Sequence, residues 1–268
     1  MDATKNLQGA SARMTIDDRI QGFEKTVQTR GEWPVSGPIW NAIGHCHRYL
    51  RFVRVVTERY EVTNAKYVDH SMRFKAMMKE SGGTRRQMTE EETNEFLAKW
   101  TLGESLYLEV ESFYLFAKIL LDRVADVVCL YFGHPKVKDG SSHTRLKNGV
   151  FDQICGKRSI DGQALVPGLE DLHRRVVRHK TDVVEHLADP RWLPGIGFGG
   201  DHRVTVSMGL TAPSEGETEL DTRETEDPAA LLKEIEAYIV AVIDFLETNI
   251  EKSVLVPLAG DPRAPKSK

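Results

Sequence analysis

Apolar residues recur three and four positions apart along most of the chain, a spacing that is typical of amphipathic α-helices. At the start of this pattern, Ile16, Ile20, Phe23 and Val27 follow one another at four, three and four positions. Thr15 precedes them, and threonine is a favoured residue at the N-cap of a helix. The sequence therefore predicts a first helix that Thr15 caps.

The helical spacing continues through the next 60 residues or so of the chain. A second helix is expected over residues 38–60, with a proline in its first turn, and a third over residues 65–79. Thr89 and Glu92 then have the spacing of a capping box, in which each side chain bonds the backbone N–H of the other residue. They predict the start of a fourth helix, and Gly103 is a candidate for its end.

Residues 104–132 carry apolar side chains on almost every face of the predicted helix. A soluble helix of this kind is usually surrounded by other helices, because it has no broad polar face to present to water. We therefore expect it to be the buried central helix of a bundle. Gly133 ends the pattern, and Ser142 is placed to cap a short helix that reaches towards Ile154.

The last third of the chain changes character. An amphipathic helix is predicted over residues 169–187, and the glycine-rich residues 194–200 are typical of a tight turn. Residues 203–208 alternate between apolar and polar, as a strand does, and residues 218–222 are a candidate hairpin partner. An aspartate and a proline then begin a final helix over residues 227–251.

Together these elements predict an all-α fold, a helical bundle with a long buried central helix and a small β-hairpin insertion before the C-terminal helix. We expect one domain over residues 14–253, in which residues 14–85 are a candidate N-terminal helical subregion. Residues 1–13 are polar and are expected to be a disordered lead-in. Residues 254–268, with their prolines and basic side chains, are expected to be a flexible tail.

Composition and charge exclude several classes of protein. The 268 residues include 36 basic and 40 acidic side chains, a formal net charge of −4, which argues against a protein that coats DNA. The three cysteines are odd in number and widely spaced, so a disulfide framework is not expected. No histidines and cysteines recur at zinc-like spacing, and neither a metal nor a cofactor is expected.

Targeting and membrane segments are not expected either. The N-terminus lacks the apolar core of a secretory signal. The most apolar stretch, residues 102–133, carries seven charged residues, which makes its insertion into a membrane prohibitive. The sequence therefore predicts a cytoplasmic protein.

A polar stripe on the helix predicted over residues 169–187 carries the candidate chemistry. Arg175, His179, Asp182 and His186 follow one another at four, three and four positions, so an α-helix places them along one edge. Arginine stays charged and can stabilise a phosphorane-like transition state, whereas histidine titrates near neutral pH and can move protons. These groups are sufficient in principle to cleave RNA, where a base activates the 2′-hydroxyl and a cation steadies the phosphate. Asp182 is placed to orient a neighbouring imidazole.

A second arginine–histidine spacing on this helix points to a known family. Arg174 and His179 have four residues between them. An all-α bundle with this spacing on a late helix resembles the HEPN superfamily, whose motif is an arginine followed after four to six residues by a histidine. The resemblance implies a homodimer in which two copies of the motif form a metal-independent, RNA-cleaving cleft. The polar residue that commonly follows the family's arginine is asparagine, aspartate or histidine; here Arg175 follows Arg174, whereas His179 follows Arg178.

These residues are compatible with two functions. The first is a metal-independent endoribonuclease or RNA-binding protein of a defence or toxin type, with the catalytic candidates Arg174, Arg175, Arg178, His179, Asp182 and His186. The second is a non-catalytic helical scaffold, a dimerisation or interaction module in which the stripe closes an interface. The stripe can also be an ordinary solvated face: Arg178 and Asp182 have the spacing of a surface ion pair worth about 0.3–0.5 kcal/mol.

One polar line runs along the otherwise apolar central helix. Glu104, Glu111, Lys118 and Asp122 recur at seven, seven and four positions. A buried charge must be paired, so Glu111 or Asp122 is expected to face the polar stripe and tune its protonation. The alternative is that this line is the one wet edge of the helix.

Overall fold

The structure is a computed structural model that describes eight stretches of the chain, residues 15–32, 35–80, 87–134, 142–178, 192–198, 204–210, 223–224 and 227–256. The predicted lead-in, residues 1–13, lies outside them. Seven α-helices are found in these stretches: α1 (Ile16–Arg30), α2 (Ser36–Glu80), α3 (Glu90–Tyr131), α4 (His143–Arg145), α5 (Phe151–Arg158), α6 (Val166–Leu172) and α7 (Pro228–Thr248). The all-α class is therefore confirmed for the body of the protein.

The predicted helix starts are confirmed by their capping contacts. The Thr15 side chain accepts from the backbone N–H of Asp18, and the Asp18 carboxylate accepts from that of Thr15. Thr89 and Glu92 form the same reciprocal pair at the start of α3. Each pair satisfies two backbone donors that the first turn of a helix leaves free.

α2 and α3 are longer than predicted because each absorbs a predicted break. α2 runs through residues 61–64, where the sequence analysis separated two helices. α3 continues through Gly103, which is buried inside it and does not end it. A glycine costs a helix only about 1 kcal/mol, and packing along the length of the α2–α3 pair outweighs that cost.

The core is one cluster of buried side chains that extends from Ile20 to Leu255. α3 contributes many of its most enclosed members, with Phe113 and Leu120 both 0% exposed. The prediction that this helix is buried on almost every side is wrong, however, because Leu108 is 58% and Leu115 41% exposed. One side of α3 is buried in the core of the bundle, and another side is exposed to solvent. That the chain is a single domain over residues 14–253 remains a prediction.

The segment after α3 is kinked where the sequence predicted one short helix. Ser142 caps α4 as predicted, and its side chain accepts from the backbone N–H of Arg145. Residues 146–150 then leave helical geometry at Asn148 and at Gly149, whose φ of +111° favours glycine. The chain resumes as α5 in a new direction, which allows both α4 and α5 to pack on the core.

A small β structure precedes α7. β1 (Trp192–Phe198) and β2 (Val204–Leu210) pair antiparallel, with Trp192 opposite Leu210, and β3 (Arg223–Glu224) pairs antiparallel with β2. Residues 194–198, predicted as part of a turn, therefore lie in a strand. Backbone pairing with β2 outweighs the poor strand propensity of the glycines. The candidate partner strand, residues 218–222, lies outside the described stretches.

The chain continues to pack against the bundle after α7 ends. Asp227 caps α7 as predicted, and a 3₁₀ turn, Ile250–Lys252, follows it. The Val254 N–H donates to the Tyr131 carbonyl at 3.0 Å, and Leu255 is 5% exposed. Val254 and Leu255, at the start of the predicted tail, therefore pack against the core, where their apolar side chains gain burial. That residues 254–268 form a flexible tail stays a prediction. Within the described stretches, no helix is both long and apolar enough to cross a membrane.

A partly buried ion-pair network joins three helices, and Arg54 of α2 is its centre. Its guanidinium bonds Asp17 of α1 and Glu236 of α7, each at 2.8 Å, and Asp17 also contacts His47 at 3.0 Å. Burial alone would raise the pKa of Asp17, but the contacts with Arg54 and His47 lower it overall. The carboxylate therefore stays ionised and binds the network at neutral pH.

Replacing Arg54 with Met is expected to lower the free energy of unfolding by about 1–2 kcal/mol, because two partly buried carboxylates lose a charged donor. Urea unfolding at neutral pH measures the loss. Arg51→Met changes the same residue type at an exposed position of α2 and is expected to stay within about 0.5 kcal/mol of the parent. Equal losses in the two variants would show that the network adds nothing to stability.

Candidate functional site

A polar cavity of about 650 Å³ lies at the end of α6, in the segment that carries the predicted stripe. Among the described residues it is lined by Lys147, Pro167, Glu170, Asp171, His173, Arg174 and Arg178. Two of the six predicted catalytic residues, Arg174 and Arg178, thus share one cavity. The cavity is open to solvent and large enough to hold a nucleotide-sized group.

The helix that carries these residues changes its winding in the middle of the predicted segment. α6 ends at Leu172, and residues 173–178 continue with the i→i+5 hydrogen bonding of a π-helix. The prediction of an α-helix over residues 169–187 is wrong in this part. A π turn contains more residues than an α turn. Residues that α-helical spacing would align on one face before and after it therefore no longer lie on the same face. Single π turns of this kind occur frequently at functional sites.

Arg175 binds carboxylates and does not line the cavity. Its guanidinium donates to Asp171 at 2.8 Å and to Glu234 of α7, and its side chain is 17% exposed. It therefore ties the π turn to α7. Burial alone would raise the pKa of Asp171, but Arg175 and Arg174 lower it overall, so Asp171 stays ionised between the two arginines.

The described residues that line the cavity carry more positive than negative charge. Arg174 donates to Asp171 at 2.7 Å, yet its side chain is 71% exposed and reaches solvent. Lys147 and Arg178 add two further cations, against the carboxylates of Glu170 and Asp171. Because Asp171 is shared with Arg175, the wall of the cavity favours an anionic ligand.

His173, which lines this cavity, stacks against a second histidine, the buried His143. The rings of His143 and His173 are 5.9 Å apart at 14° to one another, and Tyr238 of α7 meets the His143 ring edge-on at 6.0 Å. His143 is 0% exposed, and neither of its ring nitrogens has a hydrogen-bond partner among the described residues. The Nδ1 atom of His173 is buried and without a partner there as well.

Both imidazoles are neutral near pH 7. Burial, and then the neighbouring His173, lower the pKa of His143 to about 3. Burial, and then the charges of Lys147 and Arg178, lower the pKa of His173 below its usual range. A neutral imidazole is able to accept a proton, and His173 is the one that lines the cavity.

The central helix reaches this region through Asp122. The Asp122 carboxylate accepts from the backbone N–H of His143 at 3.0 Å and pairs with Lys118 at 2.7 Å. Asp122 therefore positions the segment that carries the buried histidine. Glu111, the other acid predicted to face the stripe, is hydrogen-bonded to Tyr107.

The remaining predicted residues, His179, Asp182 and His186, lie outside the described stretches. The structure instead brings His143 and His173 together, and neither residue was among the predicted catalytic residues. His173 is off the stripe if the segment is treated as a uniform α-helix, and His143 follows a predicted turn. No local pattern marks a π turn or the stacking of two residues 30 positions apart, so the sequence held no signal for this pair.

A second cavity lies between α2 and α3 and has a different character. Its volume is about 390 Å³, and aromatic rings form much of its wall. The described residues that line it are Tyr67, Phe96, Lys99, Trp100, Gly103, Glu104 and Tyr107. It contains none of the predicted catalytic residues.

Comparison with known proteins does not place this chain in a family. In the described part of the chain, no group of three or more histidines, cysteines and carboxylates is arranged to hold a metal ion. No protein-family model, curated protein or solved structure matches the chain.

Proposed function

We propose that this protein binds RNA in the polar cavity and cleaves it without a metal ion, as a HEPN-like endoribonuclease of a defence or toxin type. The observation that carries the proposal is the cavity in which Lys147, Arg174 and Arg178 surround the half-buried imidazole of His173. Cations and a neutral base in one cavity match the two needs of phosphodiester cleavage. RNA as the substrate makes the cytoplasm the expected compartment.

In the proposed reaction, Arg174 and Arg178 bind the non-bridging oxygens of one phosphate. A neutral histidine accepts the proton of the adjacent 2′-hydroxyl, whose oxygen then attacks phosphorus. The bond from phosphorus to the 5′-oxygen breaks, that oxygen takes up a proton from water, and the protonated histidine returns its proton to the solvent. The products are a 2′,3′-cyclic phosphate and a 5′-hydroxyl. His173 is placed for the role of base, and the predicted His179 is the second candidate for it.

The β insertion before α7 belongs to the proposed architecture, as a small hairpin appended to the bundle. We assign it no part in the reaction. Arg175, predicted as catalytic, is proposed to position the π turn through its bonds to Asp171 and Glu234.

The test is cleavage of a labelled single-stranded RNA by the purified chain in EDTA. We expect the parent to cut RNA and to leave DNA of the same sequence intact, since DNA lacks the 2′-hydroxyl. Arg178→Ala and a substitution of the base, His173→Gln or His179→Ala, are expected to slow cleavage by about 10²–10⁴-fold. Lys157→Ala, at an exposed position of α5, is the matched control and is expected to keep the parent rate.

Three results would overturn the proposal. Cleavage that disappears in EDTA would contradict a metal-independent reaction. Full activity in all three site variants would assign the cleavage to a contaminating nuclease. A parent that neither cuts nor binds RNA would favour the alternative, a non-catalytic helical scaffold, which the carboxylate contacts of Arg174 and Arg175 already allow.

A further inference from the structure

α2 and α3 leave a row of large apolar side chains exposed along the pair of helices. Their exposed fractions run from 41% for Leu115 to 58% for Leu108. The row, here named the outer face, consists of Phe52, Val55 and Val62 of α2 and Leu97, Leu108 and Leu115 of α3. An apolar surface of this extent, rimmed by charges, is uncommon on a monomer and marks an interaction site.

The outer face has the spacing of helices that pack along their length. On α2, Phe52, Val55, Arg59, Val62 and Lys66 follow one another at three, four, three and four positions. This is the heptad pattern that places a continuous seam against another helix. Its charged members lie within the apolar row, where a partner of opposite charge can reach them.

α3 repeats the pattern with the opposite charge. Glu104, Leu108, Glu111 and Leu115 are four, three and four positions apart, and Leu97 lies seven positions before Glu104. α3 thus contributes two carboxylates to its row, where α2 contributes an arginine and a lysine.

Contacts between the helices place both rows on the same side of the pair. The Phe52 and Phe116 rings are 5.5 Å apart, and Arg59 Nε lies 3.7 Å from Glu109 Oε1. Phe116 and Glu109 each follow an outer-face leucine by one position. Arg54, on another side of α2, bonds α1 and α7 instead. The outer face therefore lies on a different side of α2 from its ion pairs with α1 and α7.

The same contacts set the relative height of residues on the antiparallel helices. Phe52 is level with Phe116, and Thr63 donates to Glu109 at 3.0 Å. Counting between these contacts places residue 59 level with residue 111, and residue 66 level with residue 104. Each cation of the α2 row therefore has an acid of the α3 row at its own height.

We propose that the outer face binds the outer face of a second copy of this chain. A twofold axis parallel to the helices lays α2 of one copy over α3 of the other without a change of height. Arg59 and Lys66 then meet the partner's Glu111 and the partner's Glu104, and the apolar rows fill the space between. Charge complementarity within one sequence selects a second copy as the occupant.

The dimensions of the outer face suit a reversible dimer. Nineteen residues of α3, from Leu97 to Leu115, extend for about 27 Å, and two helices are about 20 Å wide. Two such faces bury roughly 1,000 Å² in all, which is near the lower limit of specific interfaces. A dissociation constant in the micromolar range is expected. This dimer differs from the one that the HEPN resemblance implies, because none of the described residues that line the polar cavity lies on the outer face. It therefore does not depend on the RNA-cleaving proposal.

A charge-exchange experiment tests the proposal by sedimentation velocity of the full chain. One variant carries Arg59→Glu with Lys66→Glu, and the other carries Glu104→Lys with Glu111→Lys. Each alone brings like charges together and is expected to weaken dimerisation at least tenfold. An equimolar mixture restores opposite charges at all four contacts and is expected to recover the dimer.

Control variants separate the interface from the fold and from total charge. Lys75→Glu with Lys79→Glu makes the same charge change elsewhere on α2 and is expected to dimerise like the parent. Leu108→Asp is expected to give a monomer with the parent's circular dichroism. A parent that stays monomeric at high concentration would overturn the proposal, as would folded variants that dimerise alone or fail to recover when mixed.

Discussion

Acidification below pH 6.5 is expected to lower the free energy of unfolding through His143, by at most about 1 kcal/mol for each pH unit. Burial, and then His173, lower the pKa of His143 in the folded protein to about 3. The unfolded chain therefore binds a proton that the folded chain does not. The stabilisation is complete above the ordinary histidine pKa and is lost progressively as the pH falls towards 3.

The structural cause is an imidazole enclosed without a hydrogen bond. Its ring meets His173 and Tyr238, and protonation would place a charge between them, with the cations of Lys147 and Arg178 near the outer ring. Among the described residues, no group pairs with the ring nitrogens of His143, whereas its backbone N–H donates to Asp122. A charged imidazole would therefore be neither solvated nor paired, which is the costliest arrangement for a buried group.

The matched pair of variants is His143→Leu and His45→Leu. Leucine has nearly the volume of histidine and does not titrate, so His143→Leu is expected to flatten the acid limb of the stability curve. It also removes two unpartnered polar atoms and is expected to raise stability at neutral pH by about 1 kcal/mol. His45 is exposed on α2, and its variant is expected to keep the parent slope. Identical slopes in all three proteins would contradict a neutral, enclosed His143.

Gly162→Ala is expected to destabilise the protein by about 1–3 kcal/mol, the cost of overpacking a core. A Cβ atom at this position would lie 2.6 Å from the Phe151 ring and 2.6 Å from Cys155 Sγ. Phe151 is 3% exposed, so its ring has little room to move. Thermal and urea unfolding measure the loss.

Gly156→Ala is the control for this substitution, since a Cβ there meets nothing within 4 Å. It lies inside α5 and is expected to stabilise the protein by about 0.5–1 kcal/mol, because alanine favours the helix. Adding Phe151→Leu to Gly162→Ala is expected to recover part of the loss by making room for the new methyl group. If the Gly162→Ala protein were as stable as the Gly156→Ala protein, this would contradict the close packing of Gly162 against Phe151 and Cys155 of α5.

Helix starts were predictable because they depend on neighbours in sequence. Thr15, Thr89, Ser142 and Asp227 all cap helices as expected, through contacts with residues two or three positions away. Helix interruptions were not predictable in this way. Gly103 looks like a break in isolation, yet the long contact between α2 and α3 carries the helix through it.

The same distinction between local and distant contacts applies to the candidate site. The sequence identified the segment and the presence of Arg174 and Arg178 in it. It assigned Arg175 to the same stripe, whereas Glu234, 59 positions away, holds that side chain against α7. The sequence did not indicate His173. Its proposed role depends on the cavity that it lines and on its stacking against His143, which belongs to another segment.

The amino-acid sequence by itself determined the helical class, the capped helix starts and the basic character of the segment that follows α6, since each depends on residues within a few positions. Only the tertiary structure decided which side of α3 is buried, where the helix winding changes, and which histidines lie together. Those outcomes depend on burial and on contacts between segments far apart in the chain, and their energies exceed the local preferences that a sequence pattern records.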